Sequence, residues 1–98
     1  MQDAPPDKMS IEAIAHRLRA TRAALGLEQA PFCRRAGIAP NTYNQFERAK
    51  GRPSLDMALK LCDAYGLTLD WIYRGDPSGL PYELARSLFE QRQQANGS

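Results

Sequence analysis

Residues 37–50 read GIAPNTYNQFERAK. A glycine opens the stretch, Pro40 follows, and the polar residues Asn41, Thr42, Asn44 and Gln45 are interleaved with Tyr43 and Phe46. Gly37 suits a sharp corner, because a left-handed backbone costs a glycine little. Pro40 suits the first position of a helix, where its missing N–H does no harm. A helix from Pro40 to about Arg48, turning about 100° per residue, puts Ala39, Tyr43 and Phe46 on one side. Asn41, Asn44, Gln45 and Arg48 fall on the other. Two aromatics would hold this helix to a core while amides and a guanidinium face outward. Amides can pair with the adenine edge in the major groove of DNA, and a guanidinium with guanine.

The neighbouring segments punctuate themselves in the same way. Ser10 can cap a first helix running to about Leu25, with Ile11, Ile14, Leu18 and Leu25 on one stripe and Gly26 as its stop. A short second helix covers Gln29 to Ala36, with Phe32, Cys33 and Ala36 inward. Ser54 caps a fourth helix, with Leu55, Ala58, Leu59 and Cys62 inward and Gly66 as its end. Thr68 caps a brief fifth, Leu69 to Arg74, closed by Gly75. Pro81 to about Gln93 reads as a further short helix, with Leu84, Ala85, Leu88 and Phe89 on one face. Three parts follow: a disordered tail over residues 1–9, a domain over 10–76 and a C-terminal extension over 77–98.

Composition agrees with an all-α fold, since valine is absent while Ala, Leu, Arg and Gln abound. Ninety-eight residues suffice for one modest core. No apolar run approaches the roughly 20 residues of a membrane span, and the start, MQDAPPDK, lacks the apolar region of a secretion signal. Cys33 and Cys62 read as reduced core thiols, so a cytoplasmic location is expected, on the bacterial nucleoid when bound. The lone His16 has no catalytic partners, and no P-loop or metal-ligand spacing occurs. Neither an enzyme nor a cofactor is expected. The net charge of +2 conceals an asymmetry: residues 8–52 carry a net +6, residues 53–98 a net −2 and the first seven another −2. A basic half beside an acidic half suggests a polyanion met from one side.

From Ile14 to Asp76, about two-thirds of its length, the chain resembles the helix-turn-helix domain of Cro and phage-repressor (XRE) type regulators. The resemblance rests on R-x-x-L-G-L-x-Q (Arg22 to Gln29), the Gly37 corner, Phe46-Glu47-Arg48 and LDWIYRGD (Leu69 to Asp76). It implies a compact five-helix, lambda-repressor-like domain with the third helix in the major groove. Gln29 matches a position that commonly meets a phosphate and braces the recognition helix. Pro40, Asn41, Asn44 and Gln45 match positions that commonly meet bases. With Gln29, the residues Arg34, Thr42, Arg48, Lys50 and Arg52 are the candidate phosphate contacts. The chain departs from the family in Cys33, where a small alanine is usual, in Tyr43, where an aliphatic is usual, and in Ala39, a poor cap.

Arg22 lies about 40° from Leu18 on the apolar stripe of the first helix, and Glu47 about 40° from Tyr43 on the inward side of the third. Opposite charges pointing toward one core should pair, and the family has an arginine–glutamate pair at these positions. The function that follows is a sequence-specific double-stranded DNA-binding regulator, a small repressor or antitoxin-like autoregulator, with no small-molecule ligand evident. A homodimer on a palindromic operator is expected, through Trp71–Tyr73 or the 84–89 stripe, although Trp71 and Ile72 more simply close the core. The rival reading is a protein-interaction module of the same fold with little intrinsic DNA specificity.

Overall fold

Ser10 starts the first helix by accepting the Ala13 N–H on its hydroxyl at 3.1 Å. In a computed structural model that describes residues 7–97, α1 spans Ile11–Ala24, α2 Gln29–Ala36, α3 Pro40–Glu47 and α4 Leu55–Tyr65. A single π-helical turn, Asp70–Arg74, and a final helix α5, Tyr82–Gly97, complete the fold. No strand occurs among the described residues, and none of these helices is long and apolar enough to cross a membrane. Residues 1–6 of the expected tail lie outside the described residues.

Chain reversals come where the turn chemistry puts them. Gly37, at φ +74°, ends α2 in a Schellman arrangement: Ile38 N–H reaches Cys33 O, Gly37 N–H reaches Arg34 O, and Ile38 is buried. The same pattern ends α3 without glycine. Lys50 N–H bonds Gln45 O, Ala49 N–H bonds Phe46 O, and Ala49 takes φ +58°. Ser54 caps α4 through the Met57 N–H, and Thr68 Oγ1 accepts the Trp71 N–H. Ala39 caps α3 with no side-chain bond.

The core gathers Ile14 and Leu18, Phe32 and Cys33, Tyr43 and Phe46, Ala58 and Leu61, and Ile72, one or two residues from each element before α5. Phe32 sits at its centre, 5.0 Å from the Tyr43 ring and stacked on Tyr65 at 4.5 Å. Tyr65 donates its hydroxyl to Phe32 O at 2.7 Å, so the aromatic is satisfied at its polar end. α1 packs against α3, α5 and the π turn; α2 packs against α3 and α4.

Several inward assignments change. On α4 the buried stripe is Ala58, Leu61 and Tyr65, while Leu55 and Leu59 are 56% and 41% exposed. Apolar residues occur on more than one face of this helix, and the Tyr65–Phe32 stack selects which one turns in. Ala39 is exposed, because it precedes the helix in extended backbone and the helical wheel does not apply to it. Ile11 and Leu25 are only half-buried at the ends of α1. α5 runs past Gln93, packs against α1, buries Leu84 in the core and leaves Phe89 59% exposed.

Arg17 is a buried strap. It donates from Nη1 to Ile72 O at 2.8 Å and from Nη2 to Lys8 O at 2.6 Å. Arg52 holds the adjacent Met9 carbonyl. Residues 7–9, expected within the tail, therefore form a turn tied to α1 and to the α3–α4 loop. Gly75, at φ +77°, lets the Arg17 guanidinium lie against its backbone: a Cβ there would stand 2.8 Å from Nη2. Gly75→Ala should destabilise the protein by about 1–3 kcal/mol in urea unfolding, through strained backbone and a displaced strap. Gly51→Ala, into open space, should change it by less than about 0.5 kcal/mol.

Candidate nucleic-acid interface

α2 and α3 meet across the Gly37 corner, and the first turns of α3 stand on the surface. Tyr43 and Phe46 are buried beneath it, their rings edge-to-face at 6.2 Å. Pro40, Asn41, Thr42, Gln45 and Arg48 are exposed, and Asn44 is half-buried. Asn41 and Gln45, four residues apart, lie on one face one turn from each other. Neither side chain makes a hydrogen bond with another described residue, so both amides keep their donors and acceptors available.

The opposite side of α3 is bolted down. Glu47 is 4% exposed and meets Arg22 through two parallel bonds, Nε to Oε2 at 2.7 Å and Nη2 to Oε1 at 3.0 Å. This fork geometry is the strong form of an arginine–carboxylate pair. Arg22 Nη1 also donates to Leu27 O at 2.9 Å, tying the α1–α2 loop into the same group. Gln29 Nε2 donates to Glu47 Oε1 at 3.0 Å and to Asn44 Oδ1 at 3.1 Å. Arg19, on the next turn of α1, donates to the Glu47 backbone carbonyl. Three elements thereby converge on one carboxylate.

Burial by itself raises the Glu47 pKa, but the Arg22 guanidinium, with the nearby Tyr43 hydroxyl and the Gln29 amide behind it, outweighs burial and holds it below the ordinary glutamate value. The Glu47 carboxylate in turn raises the pKa of Arg22. The Tyr43 hydroxyl lies fully buried with no well-formed hydrogen bond among the described residues. Burial first, and the nearby Glu47 charge second, push its ionisation far above the usual phenol range. It stays neutral and acts as packing.

The remaining candidates divide. Arg34, Arg48 and Lys50 are exposed, and their side chains make no hydrogen bond among the described residues. Arg52 is exposed, yet its guanidinium binds Met9 O. The Gln29 amide turns both N–H groups inward, so at this position only the backbone N–H at the start of α2 remains to meet a phosphate. Sequence reasoning missed Arg19, although it lies three residues before Arg22 and therefore on a neighbouring face. It also missed the Arg17 strap, for which an arginine one residue before the apolar Leu18 was the only signal.

Arg22→Ala should cost on the order of 3 kcal/mol in chemical unfolding, because it leaves Glu47 buried and unpaired. A loss below about 0.5 kcal/mol would mean an ion pair of surface character. The Glu47 term also has a fixed sign with pH. Its folded pKa lies below the unfolded one, so its contribution is complete above the ordinary glutamate range. That contribution drains away as pH falls through the range toward the folded value. Unfolding of Glu47→Gln should show a shallower loss of stability on the acid side than the parent.

A helix-turn-helix family model matches residues 18–72, more than half of the chain, from Leu18 into the π turn at Ile72. Neither the curated proteins nor the solved structures give a match. The matched span contains the braced α2–corner–α3 unit, and with it the chain belongs to the Cro/repressor-type (XRE) helix-turn-helix family of DNA-binding regulators.

Proposed function

We propose that this protein is a sequence-specific transcriptional repressor that binds double-stranded DNA as a homodimer, laying α3 in the major groove. The observation that carries the reading is the contrast between the two sides of α3. Asn41 and Gln45 are exposed with unengaged amides, while Glu47 on the far side is locked to α1 and α2. A rigid reading helix loses little conformational freedom on binding, and that is the condition for discriminating between bases.

The roles follow from chemistry. Asn41 and Gln45 each offer a donor and an acceptor, the complement of adenine N6 and N7. Pro40 offers only apolar contact, for which a thymine methyl is the natural target. Asn44, with its oxygen held by Gln29, contributes its amide nitrogen. Arg34, Thr42, Arg48 and Lys50 flank the face as phosphate contacts, with the α2 N-terminus at Gln29 beside them. Arg52 backs the N-terminal turn first and reaches phosphate second. One half-site supports limited affinity, so two copies on a palindrome with half-site centres about 34–36 Å apart supply the rest.

Selection of bound sites from random duplex DNA tests the reading. Gln45→Ala should relax preference at one base position, by about 1–3 kcal/mol, and leave the others intact. Lys50→Ala should weaken all sequences alike and lower the salt slope of binding by roughly one. A flat salt response, or a selected profile that Gln45→Ala does not alter, would reject the proposal.

A further inference from the structure

A groove of about 790 Å³ opens on the α5 side of α1, away from the Asn41–Gln45 face. Its walls include the apolar side chains of Trp71, Leu88 and Phe89, and His16, Lys8 and Arg92 stand along it. Arg17 also lines it and is only 8% exposed. Its two protein hydrogen bonds go to neutral backbone carbonyls, and the indole of Trp71 lies 5.7 Å from its central carbon. No carboxylate pairs with it among the described residues. Asp7 is the single acidic side chain on the groove, and it is turned into its own backbone, accepting the Met9 N–H at 2.8 Å.

Buried charges in proteins are paired, because an isolated one is expensive. Burial already pulls the Arg17 pKa below its ordinary value, with no acidic neighbour to raise it. A guanidinium has five N–H groups, and carbonyls take two of them. The other three suit the two oxygens of a carboxylate. The groove is within the size range of small-molecule sites, roughly 300–1,000 Å³. Its surface combines apolar walls with a surplus of cations, which selects for a ligand with one anionic end and an apolar body.

We propose that this groove binds an amphipathic organic carboxylate, its head on Arg17 and its apolar body between Trp71, Leu88 and Phe89. Nothing in this requires DNA, so the site stands or falls independently of the repressor reading.

The test is a titration of the full chain, without DNA, by octanoate and 2-naphthoate, with octan-1-ol and acetate as partial ligands. Binding is followed by the fluorescence of Trp71, the sole tryptophan, and by amide chemical shifts. At least one of the two carboxylates should bind saturably, moving the amides of His16, Arg17, Trp71 and Leu88 but not those of Asn41 or Gln45. Octan-1-ol, lacking the charge, and acetate, lacking the body, should each bind on the order of tenfold more weakly or worse. Arg17→Met removes the head-group partner but also a structural strap. Phe89→Glu is therefore the decisive variant, since the exposed Phe89 can be changed without opening the core. It should fold as the parent does and lose binding on the order of tenfold. The proposal is overturned if neither carboxylate saturates, if octan-1-ol binds as well as octanoate, or if Phe89→Glu binds unchanged.

Discussion

The Arg22–Glu47 fork is the interaction on which the rest of the structure depends. Glu47 is the last residue of α3, and Arg22 belongs to the last turn of α1. Joining them fixes the angle at which α3 leaves the core. Gln29 extends the joint to the start of α2, and Arg22 extends it to Leu27 in the intervening loop. A carboxylate can only accept, so every neighbour turned toward Glu47 must present a donor. That requirement orients the Gln29 amide, which then orients Asn44 through its oxygen. The order of the exposed face of α3 is thus inherited from a buried charge on its other side.

A second joint acts on the other side of α1. Arg17 ties the N-terminal turn at Lys8 to the π turn at Ile72 and depends on Gly75 for room. α1 is thus clamped by two arginines with different partners. Arg22 finds an anion, whereas Arg17 finds carbonyl dipoles and an indole face. The difference sets what each region can do. Where the charge is neutralised internally, the exposed face of α3 carries uncharged amides at Asn41 and Gln45. Where it is not, the guanidinium lines the adjoining groove with no carboxylate partner among the described residues.

These two joints also explain how a small core can hold so defined a surface. The aromatic cluster of Phe32, Tyr43 and Tyr65 supplies area and shape. Apolar packing alone is non-directional, and it would let α3 rotate about its two aromatic anchors. The forked ion pair and the amide chain add direction, and Arg19 on the Glu47 carbonyl restrains the helix end where its dipole is negative.

The sequence by itself determined the boundaries of α1 to α4 to within a residue, because caps and turns are local, but not the end of α5 or the π character of Asp70–Arg74. Ser10 and Ser54 accept from residues three positions on, and Gly37, Gly66 and Gly75 take the positive φ that closes their helices. The split of α3 into an aromatic and a polar face was equally legible, since it needs only the helical repeat. The Arg22–Glu47 proximity could be read because each charge lay on an apolar stripe. Other features were decided by tertiary structure alone. Leu55 and Leu59 turned outward on α4 because a stack between Phe32 and Tyr65, residues far apart in sequence, selected the other face. Phe89 stayed exposed although it shares a helical face with the buried Leu84, because α5 packs mainly on α1. Gln29 faces inward, and Arg17 and Arg52 bind carbonyls, because acceptors 55, 43 or 18 residues away came within reach. Periodicity along one helix carries no record of which partner arrives from another, and those partners chose where the polar side chains point.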